Sequence, residues 1–315
     1  MMRTRIAAPV WAGLMLLPVA MPSQANGTSP AAPPLVQYTV PVGGEPLAVW
    51  ARRPADPRGV ILLIHGRTWA ALPDFDLQVP GQSWSVLQKL AARGYAAYAV
   101  DLRGYGRSPR DPGGWLTPAR AVLDVGAVLA WITAHERPAR RPVLLGWSLG
   151  SMVSQLLAQK HGDQISALIL YGYPFDVGTR MAATPAPAIP PRERTTADDA
   201  REDFISPAAT SPGVVDAYVA AALKWDPVRT DWRDLDQFNA LDPSRVRVPT
   251  LLLQGERDPS VSRESLARFF HGLASRDKQW ITLTGGDHAA LLENTRPTFI
   301  DAVVGFLERE RAGAQ

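Results

Sequence analysis

The sequence predicts an α/β fold: a mostly parallel, doubly wound sheet of about eight strands, with a helical cap inserted between strands six and seven. Three observations carry this. Short, continuous apolar runs recur along the chain, as in strands buried on both faces. Helical patterns alternate with those runs from the third one on. The alternation fails once, between 176 and 248.

The elements follow in order. Leu35–Val42 and Leu47–Arg52 are extended runs separated by Gly43-Gly44, which reads as a hairpin. Gly59–Ile64 is apolar throughout and ends at His65-Gly66. Ala96–Val100 ends at Asp101, Val143–Leu145 at Gly146 and Ala167–Tyr171 at Gly172. Thr250–Leu253 leads into Gln254-Gly255, and Trp280–Leu283 into Thr284-Gly285-Gly286. Helical patterns cover Ser83–Arg93, Pro118–His135, Leu149–His161, Arg263–Leu273 and Pro297–Arg309. Thr117 caps the second of these, with Pro118 in its first turn. The core therefore spans 35–175 and 249–315, and 176–248 is the insertion. It carries a Pro-rich stretch, Met181–Pro191, then Phe204, Tyr218, Trp225, Trp232 and Phe238. Leaving the carboxyl edge of the sheet, it is expected to lie over the edge where open α/β sheets bind ligands. Its aromatics need a surface to bury against.

The N-terminus reads as an export signal over residues 1–25. Arg3 and Arg5 precede an apolar stretch from Ile6 to about Ala20, and Ser23-Gln24-Ala25 offers a cleavage site. Pro18 and Pro22 interrupt the run, which is shorter than the ~20 residues of a spanning helix, so no stable membrane anchor is expected. Residues 26–34 (NGTSPAAPP) form a linker. The mature protein is then expected in a periplasm or outside the cell.

Composition narrows the chemistry. Apolar residues make up 46% and charged residues 20%, as in a globular protein. The formal charge of +3 falls to +1 without Arg3 and Arg5, so no basic stripe points to nucleic acid. There are no cysteines, which excludes a thiol nucleophile, a thiolate metal site and disulfides. No metal cluster stands out, nothing calls for a cofactor, and oligomeric state is open.

Gly146-Trp147-Ser148-Leu149-Gly150 is a G-x-S-x-G placed between an apolar strand and a helix, the context a nucleophile elbow requires. Alone the pattern is weak; the context gives it force. A serine hydroxyl needs a base. Of the five histidines, His135, His161 and His271 fall near helix ends, and His65 reads as structural. His288, just past the last strand, is the candidate base. Asp258, beyond the seventh strand, is the candidate orienting acid, with Asp176 as its main rival and Glu256 and Asp287 behind. The order Ser148, Asp258, His288 fits the Ser…Asp…His order of elbow enzymes. An oxyanion needs amide donors. Leu149 supplies one, and Arg67 the second, with Thr68 as fallback.

His65-Gly66, the run Asp101 to Ser108, the elbow, Gly255…Asp258 and Gly286…His288 together resemble the α/β-hydrolase superfamily. The likeness covers about 35–310 and is strongest to the capped branch of serine esterases, haloperoxidase-like enzymes, epoxide hydrolases and carbon–carbon bond hydrolases. It implies the α/β-hydrolase fold and acyl transfer to water from a small-molecule acyl substrate. Two departures stand out. Ser148 occupies the position where members acting on epoxides or haloalkanes carry aspartate, which argues against those activities. The loop from Arg67 to Ser83 (RTWAALPDFDLQVPGQS) is unusually long and brings Trp69, Asp74, Phe75 and Asp76 near the oxyanion side. Trp69, Trp147 and Tyr105 are the candidate pocket residues. Lactone, amide, peptide or carbon–carbon bond cleavage and a perhydrolase activity fit the same triad. A non-catalytic binding protein is the rival from another class.

Overall fold

A computed structural model describes residues 32–82, 84–206 and 208–312. The expected export signal and most of the expected linker lie outside these residues. Eight strands form one sheet: β1 (Val36–Val42), β2 (Glu45–Arg52), β3 (Gly59–Ile64), β4 (Tyr95–Val100), β5 (Val143–Trp147), β6 (Ala167–Tyr171), β7 (Thr250–Gly255) and β8 (Lys278–Leu283). Their spatial order is β1-β2-β4-β3-β5-β6-β7-β8. β2 runs antiparallel to β1 and β4, and the other pairings are parallel. Gly43 and Gly44 turn the hairpin with φ of 56° and 87°, where a side chain is disfavoured.

Eight helices are described: α1 (Ala71–Phe75), α2 (Val86–Ala92), α3 (Pro118–Glu136), α4 (Leu149–His161), α5 (Ala197–Arg201), α6 (Pro212–Trp225), α7 (Arg263–Gly272) and α8 (Arg296–Ala312). Side chains alternate across the pleat. Val60, Leu62 and Ile64 join one core with α3, α4 and α7. Ile61 and Leu63 join the other with α2 and α8. The strands from β3 to β7 are therefore buried on both faces, which is why they read as apolar runs, whereas the edge strands β1 and β8 stay partly exposed. Thr117 caps α3 through Arg120 N at 3.2 Å, as the sequence implies.

The insertion between β6 and β7 is only half helical. Its first part, Met181–Pro191, is mostly exposed and carries neither helix nor strand. Four prolines there remove the amide donors either structure needs. The second part holds α5, α6 and two short 3₁₀ turns, Leu235–Ala240 and Pro243–Arg245. A two-residue ribbon pairs Trp115–Leu116 of the core with Asp231–Trp232 of the insertion. The long loop after β3 contains α1, which packs against α6. Among the described residues no helix is long and apolar enough to cross a membrane.

Candidate active site

Ser148 stands at the turn between β5 and α4 with φ 54° and ψ −123°, a strained conformation for a residue with a side chain. The glycines around it explain how the turn closes. A Cβ on Gly146 would lie 2.3 Å from the Gly150 carbonyl oxygen, and one on Gly150 would lie 2.4 Å from the His65 and Ile64 oxygens. Only glycine fits at either place. The Ser148 amide donates to Tyr171 O at 3.0 Å, tying the turn to the end of β6.

His288 follows β8. Its Nδ1–H donates to Asp258 Oδ2 at 2.8 Å, which leaves Nε2 as the free ring nitrogen. Asp258 in turn accepts the Ser260 amide at 2.9 Å, and Ser260 Oγ lies 3.1 Å from His288 Nδ1. The Asp258 side chain is fully buried and that of His288 is 13% exposed. Burial opposes charge on both, but their mutual hydrogen bond and attraction prevail. Asp258 is held below the usual carboxylate range, and His288 above the ordinary histidine value. Asp203 and Asp287 add to the upward pull on His288.

The main chain of His288 is pinned as well. Trp147 Nε1 and Tyr171 Oη both donate to His288 O at 2.9 Å. Gly172, with φ 55°, passes beneath the imidazole, where a Cβ would come within 3.1 Å of Nδ1. Ser148 and His288 face one small cavity, also walled by Gly66, Arg67, Trp69, Asp74, Trp147 and Asp203. The space open to a water-sized sphere is about 10 Å³, room for about one water. Ser148 and His288 share this space without a formed hydrogen bond among the described residues, a common state before substrate binds.

The family model described as "Serine aminopeptidase, S33" (Hydrolase_4) matches residues 55–295, well over half of the chain. The protein belongs to this family of α/β hydrolases. Among curated relatives, a monoacylglycerol lipase of Mycolicibacterium smegmatis is 31% identical over 120 residues, 37% of this chain and 38% of that one. A pimeloyl-[acyl-carrier protein] methyl ester esterase of Chromobacterium violaceum is 35% identical over 86 residues, 27% of this chain and 29% of that one. The chain thus spans less than two fifths of either relative. Solved structures share the fold. A serine hydrolase of carbazole degradation (CarC) aligns with TM-score 0.64 at 18% identity, covering 87% of this chain and 99% of its own. An esterase of Thermogutta terrifontis aligns with TM-score 0.61 at 18% identity, covering 88% and 99%.

In this Hydrolase_4 member the loop after β3 approaches Ser148 closely. A Cβ on Gly66 would lie 3.3 Å from Ser148 Cβ. Neither the Arg67 nor the Leu149 amide meets a protein acceptor among the described residues, so both remain free to donate. Thr68 takes φ 93°, a strained value at the loop's sharpest point. His65 is buried and structural: Nδ1–H donates to Gly66 O at 2.8 Å and Nε2 accepts the Leu102 amide at 3.1 Å. Burial lowers its pKa to about 4.

Of the expected pocket residues, Trp69 and Trp147 line the cavity. Tyr105 does not. Its ring lies 4.4 Å from that of His65, and its hydroxyl accepts from Trp232 Nε1 at 2.8 Å. It is fully buried behind the loop, because the turn after Asp101 folds inward. Asp176 is no rival to Asp258: it pairs with Arg268 at 3.1 Å. Asp101 braces loops, accepting from Ala71 N, Arg107 N and Trp50 Nε1.

Asp203 was invisible to sequence reasoning. It follows α5 in a segment without periodicity, and only the folded insertion brings it to the cavity. Beside the cavity, sharing Arg67 with it, lies a larger one of about 610 Å³. Trp115, Met181, Trp232 and the Pro-rich stretch wall it.

Proposed function

We propose that the chain is a serine hydrolase that cleaves a carboxylic ester through an acyl-enzyme on Ser148. The observation that carries this is the His288–Asp258 hydrogen bond, whose geometry leaves Nε2 unprotonated in the cavity that holds a strained Ser148. His288 takes the Ser148 proton as Oγ adds to the carbonyl carbon. The Arg67 and Leu149 amides receive the oxyanion. As the tetrahedral adduct collapses, the proton passes from His288 to the departing alkoxide. Water then adds to the acyl-enzyme, giving its proton to His288, and Ser148 recovers a proton as the acid leaves. Asp258 stays ionised throughout and balances the imidazolium.

Ester cleavage is favoured by the two curated relatives, both named for action on esters. The family description, with its aminopeptidase, makes an amide the second reading. The 610 Å³ cavity beyond Arg67 is the route for the longer arm of the substrate, since the space over Ser148 admits little more than the reacting group. Export through residues 1–25 belongs to the same reading, and N-terminal sequencing of the protein made in a bacterial host tests it. The function is tested by a panel of p-nitrophenyl esters, lactones and aminoacyl amides. The expected result is ester turnover that Ser148→Ala reduces by ~10⁴–10⁶-fold. Amide turnover above ester turnover would favour the second reading.

A further inference from the structure

Asp74 of α1, Tyr218 of α6 and Asp203 meet at the wall of the cavity that holds Ser148 and His288. Tyr218 Oη lies 3.1 Å from Asp74 Oδ1 and 2.8 Å from Asp203 Oδ2. Asp74 and Tyr218 are buried, with exposures of 1% and 0%. A phenol has one proton and can donate to one carboxylate only. If both aspartates were ionised, one anionic oxygen would face the lone pairs of a phenol that, like Asp74, is shut off from water. Three oxygens in this row therefore hold two protons, one of them on a carboxyl.

The surroundings decide which one. Asp203 faces the indole of Trp69 and the charge of His288, both of which favour its anion, with Glu202 opposing. Asp74 faces Asp203 and Asp226, two like charges, and its donors are only the Gly66 amide at 3.3 Å and Tyr218. Arg67 shares the cavity but lies on its exposed side.

We propose that Asp74 is a neutral carboxylic acid in the working enzyme and a positioning residue for its oxyanion loop. Oδ1–H donates to Tyr218, Tyr218 donates to Asp203, and Oδ2 accepts the Gly66 amide. Burial first, then repulsion from Asp203, holds Asp74 well above the usual carboxylate range, while Asp203, pushed up by burial, stays at about 6. The row links the insertion to the peptide that precedes the Arg67 donor. The next peptide, whose amide is the Arg67 donor itself, is held by His65 at Gly66 O. Loss of the Asp74 proton puts a second anion beside Asp203, breaks the Tyr218 bridge and draws the Gly66 amide harder onto Oδ2, so the His65–Gly66 peptide that leads into the Arg67 donor shifts. Activity then falls on the alkaline side.

This inference rests on the ester hydrolase reading for its kinetic test but not for its spectroscopic one. The kcat/KM pH profile is measured for wild type, Asp74→Asn and Asp74→Ala. The alanine variant is expected to lose ~10²-fold in kcat with little change in KM, the cost of a misplaced catalytic group. Asparagine keeps a donor toward Tyr218 and an acceptor toward Gly66, so it restores most of that loss. It does not ionise, so the alkaline fall of the wild type disappears. Infrared difference spectra of wild type minus Asp74→Asn at mildly alkaline pH should show the carbonyl band of a protonated carboxyl that shifts in D₂O. An unchanged alkaline fall in Asp74→Asn, or no such band, overturns the proposal. A protein that turns over no ester yet shows the band refutes the ester reading and leaves the Asp74 proton standing.

Discussion

Trp147 and His288 are joined by a hydrogen bond from the indole N–H to the His288 carbonyl at 2.9 Å, so the residue before Ser148 holds the main chain of His288. Their rings lie 5.8 Å apart. Trp147→Phe keeps the apolar wall and removes the donor, while Tyr171 still holds the same carbonyl. The expected result is a fall in kcat on the order of tenfold, well below the ~10²-fold that a misplacement of 1 Å can cause. Steady-state kinetics on one ester, alongside an unchanged melting temperature, checks it.

In the proposed mechanism the protonation of His288 sets the acid limb of activity. The base must be neutral to accept the Ser148 proton. Its pKa lies above the ordinary 6.5, because Asp258 outweighs the effect of burial. The kcat/KM should therefore be low in acid and rise with pH through a midpoint above that value. Asp258→Asn removes the charge and the preference for the Nδ1–H tautomer, so kcat drops by about 10⁴-fold. A midpoint at or below 6.5 in the wild type would contradict the assigned balance.

His65 is predicted to stay neutral far into acid. Its folded value of about 4 lies below the 6.5 of an exposed histidine. Between those values the unfolded chain binds a proton that the folded one refuses, so His65 makes stability fall as pH drops from 6.5 toward 4. The contribution is on the order of 3 kcal/mol. Ring ¹⁵N shifts at mildly acidic pH should show a neutral imidazole with its proton on Nδ1. A charged ring there would refute the burial argument.

The elbow glycines admit no substitution. Gly146→Ala drives a methyl group to 2.3 Å from the Gly150 carbonyl oxygen, a backbone atom that cannot rotate away. Gly66→Ala comes closest to the Ser148 side chain, at 3.3 Å, with the Trp147 carbonyl oxygen at an ordinary 3.8 Å. The first variant should lose activity together with melting temperature, and the second activity more than stability. Parallel thermal melts and ester assays separate the two outcomes.

Much of this was legible in the sequence for a physical reason. Strands buried on both faces, such as Gly59–Ile64, must be apolar throughout, and the turns that follow them must bring their functional side chains to one edge of the sheet. That logic singled out Ser148, Asp258 and His288; the fold joins Asp258 to His288 and sets His288 and Ser148 on one cavity with Trp69 and Trp147. It misplaced Tyr105, because a loop's path is set by buried contacts such as those of Asp101 and His65 rather than by local pattern. It also read Asp74 only as a nearby residue, missed the short helix α1, and had no access to Asp203 or its bridge through Tyr218. Asp74 meets the other two over more than a hundred residues of intervening chain, and no periodicity records such a meeting.

The most direct test is covalent. Reaction with a fluorophosphonate followed by peptide mapping should give a single adduct, on Ser148, formed by the wild type and not by His288→Ala, whose serine lacks its base. No adduct on the wild type, or one at another residue, contradicts the account.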